Sequence, residues 1–232
     1  MVVRRWAKRL MAIGLVGAGA SACGSEATSS TTAATGTAAV ITADKCVVFL
    51  HGKGGSGADA AQRDGYVLVS PTGNADGWGG RQWLYFPEER YTEAVGIVRS
   101  AIDATGCTDV VVHGFSNGAA FAASMYCHGE SFEGRLRGIV VDDPVTDHGT
   151  ESCAPADGVE VALYWTTGLD KESKPGTACK PMDWTCQGGS LVGIEAYAAT
   201  LGTPVLPSPN RTHAPMGEAP EARAWLGLVP SG

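Results

Sequence analysis

Unbroken apolar runs recur along the chain at Cys46-Val47-Val48-Phe49-Leu50, Tyr66-Val67-Leu68-Val69, Val110-Val111-Val112 and Gly138-Ile139-Val140-Val141. None alternates with polar residues, so each predicts a strand buried on both faces. Val159 to Thr166 predicts a fifth strand, and Pro204-Val205-Leu206 a short last one. Between these runs the apolar spacing becomes helical. Pro87 opens a helix with Ala94, Val95, Val98, Ala101 and Ile102 on one face and Gly106 as its stop. Further helices are expected after Gly118, from about Ser190 to Leu201, and from Ala219-Pro220-Glu221 through Leu226. Thr72 to Phe86, rich in Gly and Trp, reads as a loop. Buried strands alternating with amphipathic helices predict an α/β fold, with right-handed βαβ units and a mostly parallel central sheet flanked by helices.

The first residues break this pattern. Arg4, Arg5, Lys8 and Arg9 form a basic segment ahead of the apolar stretch Leu10 to Ala20, the form of an export signal. Ala20-Ser21-Ala22-Cys23 then resembles a bacterial lipobox, which implies a signal over 1–22 and lipid on Cys23. Residues 23–43 are nearly all Ser, Thr, Ala and Gly, and cannot bury enough surface to offset their ordering entropy. They read as a flexible tether, leaving 44–229 as the folded domain. The expected location is extracytoplasmic, secreted or held to the cell membrane through Cys23.

Charge narrows the partners. The chain carries 17 basic and 24 acidic residues, and loss of the signal would leave 13 basic, a net of −11. An acidic surface argues against nucleic acid. Cysteine usage fits export as well. With Cys23 set aside, six of the seven cysteines remain, an even number that favours disulfides in an oxidising compartment. Cys46 and Cys107 each precede a strand, and those strands would be parallel neighbours. Cys179 and Cys186 are close enough in sequence to pin one loop, which leaves Cys127 with Cys153. Zinc is the competing reading, but no C-x-x-C pair supports it, and no metal site is expected.

The chemistry centres on Val110-Val111-Val112-His113-Gly114-Phe115-Ser116-Asn117-Gly118-Ala119-Ala120. A β-branched strand runs into Gly-x-Ser-x-Gly, and small residues follow at helical spacing. This is the form of a nucleophile elbow, a sharp strand-to-helix turn with a serine at its tip. The helix N-terminus would direct N–H groups and the positive end of its dipole at the site where an oxyanion develops.

Serine needs a base. Of the five histidines, His51 and His113 precede glycines at strand ends and read as structural or site-lining, while His128 and His148 lie in polar loops. His213 follows the last strand, and the chain order Ser, acid, His makes it the expected base. Asp170, after the fifth strand, is the first candidate for the acid that orients His213; Asp143 rivals it, and Asp183 is third. The oxyanion would be held by the N–H of Asn117 and by one from the loop His51-Gly52-Lys53-Gly54-Gly55, at Lys53 or Gly54. Trp78, Trp83, Tyr85 and Phe86 either border the site, with Trp78 and Trp83 binding substrate, or cover the core.

These motifs together resemble the α/β-hydrolase superfamily, among small esterases of the dienelactone hydrolase, carboxylesterase and cutinase kind. The resemblance spans about Cys46 to Leu226. It implies an α/β-hydrolase fold with little or no cap domain, an open site and acyl-hydrolase chemistry on a small or polymeric ester, with no cofactor. A peptidase or thioesterase with the same triad, or a surface lipoprotein that binds without turnover, are the other readings.

Overall fold

The apolar runs become central strands because alternate residues of each enter cores on opposite faces of one sheet. The computed structural model describes residues 44–145, 152–166, 186–187, 190–191, 193–210 and 212–228. The expected signal, tether and lipid-bearing Cys23 lie outside these residues, as do Asp170, Asp183, His148 and Cys179. Among the described residues, no helix is long and apolar enough to cross a membrane.

In chain order, β1 is Lys45–Leu50, β2 Ala58–Gln62, β3 Val67–Ser70, β4 Ala75–Gly77 and β5 Gly80–Gln82. Helix α1, Glu88–Thr105, leads to β6, Asp109–Phe115, and directly to α2, Asn117–Cys127. Next come β7, Leu136–Asp142, and β8, Glu160–Trp165, followed by the two-residue strands β9, Cys186–Gln187, and β10, Ser190–Leu191. Helix α3, Ile194–Leu201, strand β11, Val205–Pro207, and helix α4, Pro220–Trp225, complete the order. Among the described residues the main sheet has seven strands in the order β11-β8-β7-β6-β1-β3-β2, with only β2 antiparallel to its neighbour.

Burial divides by parity. Cys46, Val48 and Leu50 of β1, Val110 and Val112 of β6, and Ile139 and Val141 of β7 join a core with α1, α2 and α3. Val47, Val111 and Val140 face the other way, into a smaller cluster closed by Ala219, Ala222 and Leu226. Helix α1 ends where expected: Gly106 is left-handed at φ 70° and its N–H caps the carbonyls of Asp103 and Ile102. Two of the expected disulfides, Cys46–Cys107 and Cys127–Cys153, are formed. The third involves Cys179, outside the described residues.

Three expectations are corrected. The stretch Thr72 to Phe86 is not all loop, because β4 and β5 pair there as a short antiparallel hairpin. The β1–β3 crossover contains the edge strand β2, which the sequence did not reveal because Ala58-Asp59-Ala60-Ala61-Gln62 lacks β-branched residues. The helix expected from Ser190 begins at Ile194, after β10.

Strand β6 and helix α2 meet with almost no space between them. A Cβ on Gly114 would lie 2.2 Å from the Gly118 carbonyl oxygen, and one on Gly118 would lie 2.2 Å from that of Leu50. Both contacts are with backbone, which cannot swing aside. Gly118→Ala is therefore expected to destabilise the domain by about 3 kcal/mol or more, lowering Tm by about 6–12 °C. A thermal melt within about 2 °C of wild type would refute this reading of the turn.

Candidate active site

Ser116 occupies the tip of the turn between β6 and α2, with φ 56° and ψ −117°, a conformation that side chains rarely adopt. The surrounding backbone enforces it. Ser116 N–H donates to the Asp142 carbonyl at 2.9 Å, tying the elbow to the end of β7, and its own carbonyl accepts from Ala120 N–H at 3.0 Å in the first turn of α2. The residue is only 3% exposed.

His213 Nε2 stands 2.9 Å from Ser116 Oγ, within hydrogen-bond range. The loop carrying His213 is held at several points. Ser208 N–H donates to the Trp165 carbonyl at 3.0 Å, Asn210 Nδ2 donates to that of Ala214 at 2.8 Å, and the imidazole packs 4.7 Å from the Phe115 ring. Met216 N–H donates to Asp142 Oδ2 at 2.8 Å.

Asp170, the first choice of acid from the sequence, lies outside the described residues. The rival, Asp143, puts its carboxylate Oδ2 3.5 Å from His213 Nδ1. Asp143 is fully buried and left-handed at φ 48°, a conformation that aspartate tolerates better than most residues. Burying a carboxylate is costly unless donors meet it. Here Thr166 supplies two, its backbone N–H to Oδ1 at 2.5 Å and its hydroxyl to Oδ2. An Nδ1–H directed at Asp143 would leave Nε2 as the acceptor that faces Ser116 Oγ.

On the other side of Ser116 lies the glycine-rich loop after β1. A Cβ on Gly52 would come within 3.1 Å of Ser116 Cβ, so this loop runs beside Ser116. The β4–β5 hairpin fixes this loop: Gly54 N–H donates to the Arg81 carbonyl at 2.8 Å, and Arg81 N–H to that of Gly55 at 2.7 Å. Asn117 opens α2, so its N–H has no acceptor within the helix. Its side chain has a role that the sequence did not suggest. Oδ1 accepts from Trp83 N–H at 2.7 Å and Nδ2 donates to the Trp83 carbonyl at 3.1 Å, clamping the segment after β5 to the elbow.

The aromatic residues separate into two groups. Trp83, read from the sequence as either binding substrate or covering the core, is fully buried and stacks 5.2 Å from Phe121, so its ring fills core space beside α2. Trp78 is 58% exposed, with the Lys53 ammonium 4.8 Å from its ring centre, and Phe86 is also exposed. Trp78 thus stands at the rim of the loop beside Ser116. Among the described residues, no cluster of side chains is arranged to hold a metal ion.

His51 braces the loop from within. Its Nδ1 lies 2.8 Å from the Gly52 carbonyl and can only donate there, so Nε2 is the acceptor for Gly73 N–H at 3.1 Å. Burial lowers its pKa from the ordinary 6.5, against a smaller opposing effect of the Gly52 carbonyl. The unfolded chain therefore takes up this proton at a higher pH than the folded one. The resulting stability is fully present above pH 6.5 and is lost as pH falls through the depressed folded value. Wild-type Tm is expected to fall between pH 7.5 and pH 5 by more than that of His51→Gln, about 2 °C more for each kcal/mol lost. Parallel melting curves for the two proteins would contradict this.

No family model and no curated protein matches the sequence. Solved structures do. A carboxylesterase from Bacillus cereus is 21% identical, with 81% of this chain and 90% of that one covered and a TM-score of 0.51. A carboxylesterase from Mesorhizobium loti is 17% identical, with 81% and 90% covered and a TM-score of 0.50. A protein of unknown function from Agrobacterium tumefaciens, 17% identical, covers 82% and 93% at a TM-score of 0.51. The likeness, taken with the mostly parallel sheet and the strand–turn–helix at Ser116, identifies the fold as that of the α/β-hydrolases.

Proposed function

We propose that the chain is a serine hydrolase of carboxylic esters. The observation that carries this reading is the 2.9 Å approach of His213 Nε2 to Ser116 Oγ at the tip of a strained turn. In this mechanism Ser116 Oγ attacks the ester carbonyl carbon as its proton passes to His213 Nε2. The tetrahedral oxyanion is held by the N–H groups of Asn117 and of Lys53 or Gly54. Collapse expels the alcohol, which takes the proton from His213, and leaves an acyl group on Ser116. Water, deprotonated by His213, then releases the acid.

Asp143 is the proposed acid. Its buried carboxylate lies 3.5 Å from His213 Nδ1, where it stabilises the imidazolium formed as the serine proton arrives. Trp78, exposed beside the Lys53 loop, is the proposed substrate contact. Two of the solved structures of similar fold are carboxylesterases, which supports an ester over an amide. The signal-like segment, the lipobox-like Ala20-Ser21-Ala22-Cys23 and the polar tether support an exported enzyme anchored by lipid on Cys23.

The test is hydrolysis of p-nitrophenyl acetate, butyrate and octanoate, alongside matched thioesters and anilides, by protein beginning after Cys23. Ser116→Ala is expected to lose about 10⁴-fold or more in kcat. Asp143→Asn is expected to lose about 10³–10⁴-fold with KM little changed, and Asp170→Asn only a few-fold. The reverse order for the aspartates would make Asp170 the acid. Turnover that survives Ser116→Ala would refute the mechanism, and faster cleavage of anilide or thioester than ester would replace the substrate class.

A further inference from the structure

A second histidine–aspartate pair lies on the opposite face of the sheet from α1 and α2, facing a cavity that the proposed mechanism does not use. Parallel neighbours such as β1 and β3 are usually joined by a crossover helix. Here residues 51–66 contain only the edge strand β2, and the crossover supplies no helix to cover Val47, Phe49 and Leu68. Helix α4 spans six residues and packs on β6 and β7 instead. Between them remains a cavity of about 470 Å³, walled by Val47, Phe49, Leu68, Pro215 and Ala222. That volume lies within the range of about 300–1,000 Å³ found for small-molecule sites.

His113 forms part of this wall and is only 2% exposed. Its Nε2 lies 3.6 Å from Asp142 Oδ2, and the Phe49 ring meets its ring edge-on at 5.6 Å. Neither His113 Nε2 nor Asp142 Oδ1 has a hydrogen-bond partner among the described residues. Directing Nε2–H at Asp142 leaves Nδ1 as an acceptor for a donor within the cavity. Charge selects the donor. The buried Asp142 carboxylate behind the imidazole opposes an anion beside it, and the two charged residues that line the cavity, Arg63 and Glu218, are of opposite sign. Glu218 is already paired with Arg223 at 3.1 Å, which leaves it little pull on a cation, and the apolar walls favour a neutral molecule. The same Asp142 oxygen accepts Met216 N–H at 2.8 Å, so the pair also adjoins the loop that carries His213.

We propose that this cavity is a second small-molecule site, which takes a neutral aliphatic alcohol whose hydroxyl donates to the His113 imidazole. The alkyl chain lies along Val47, Phe49, Leu68 and Ala222, the hydroxyl donates to the imidazole in the cavity wall, and the arrangement discriminates against ligands without a donor. Such binding does not depend on hydrolysis.

The test measures 1-hexanol binding by ligand-observed NMR to the Ser116→Ala protein, in which alcoholysis at the serine cannot occur. Saturable binding is expected. Adding His113→Phe is expected to weaken it about fivefold or more, as is replacing 1-hexanol with 1-chlorohexane. Ala222→Trp, which fills the cavity, is expected to abolish it; if that variant melts non-cooperatively, Leu68→Trp takes its place. The absence of saturable binding, equal binding of the chloride, or affinity unchanged by both His113→Phe and the cavity-filling variant would overturn the proposal. The last result would place the alcohol elsewhere, the pocket beside residue 116 included.

Discussion

A strand that passes straight into a helix brings the two backbones together, and the turn closes only where no side chain intervenes. A methyl group on Gly114 would penetrate a carbonyl oxygen of α2, and one on Gly118 a carbonyl oxygen of β1. At this turn Ser116 is held at φ 56°, with its N–H tied to the end of β7. The other groups around Ser116 are arranged about a serine whose position the chain cannot relax. The sheet bears the strain, since β6 is central and hydrogen-bonded to β1 and β7 on either side.

The end of β7 organises the remainder. Asp142 and Asp143 are adjacent and fully buried, yet they serve different partners. Asp142 accepts Met216 N–H and faces His113, while Asp143 turns through a left-handed φ to meet Thr166 and His213. One carboxylate anchors the His213 loop and the other approaches its imidazole. Neither donor set would suffice for both charges, so the reversal of direction between the two residues is what lets both be buried. On the opposite side of Ser116, His51 and the β4–β5 hairpin fasten the glycine-rich loop, and Asn117 the segment after β5, with backbone-directed bonds.

Much of this was legible in the sequence because it rests on local patterns. The doubly buried strands announced themselves as unbroken Val and Ile runs, and Gly106 marked the end of α1. Gly-x-Ser-x-Gly located the elbow, and the position of His213 after the last strand located its partner. The Cys46–Cys107 disulfide followed once the strands beside those residues were taken as neighbours, and Cys127–Cys153 was the pair left after Cys179 was assigned to Cys186. What escaped depends on distant contacts. Strand β2 exists because β3 offers an open edge, not because of its own alanine-rich composition. Whether Trp83 lines a site or fills a core depends on its partner Phe121 on α2, which no spacing rule reveals. The approach of Asp143 to His213 likewise joins positions 70 residues apart, which no local spacing reveals. The amide of Asn117 was read only for its backbone, because its side-chain partner lies 34 residues away.

The central claim is that His213 makes Ser116 a nucleophile, and the most direct measurement is the rate at which a fluorophosphonate labels that residue. The folded protein beginning after Cys23 would be treated with the probe, and the modified peptide identified by mass spectrometry. The account predicts rapid, single labelling at Ser116 that falls by at least about 10³-fold in a folded His213→Ala variant. Failure to label Ser116, or equal labelling with and without His213, would contradict it.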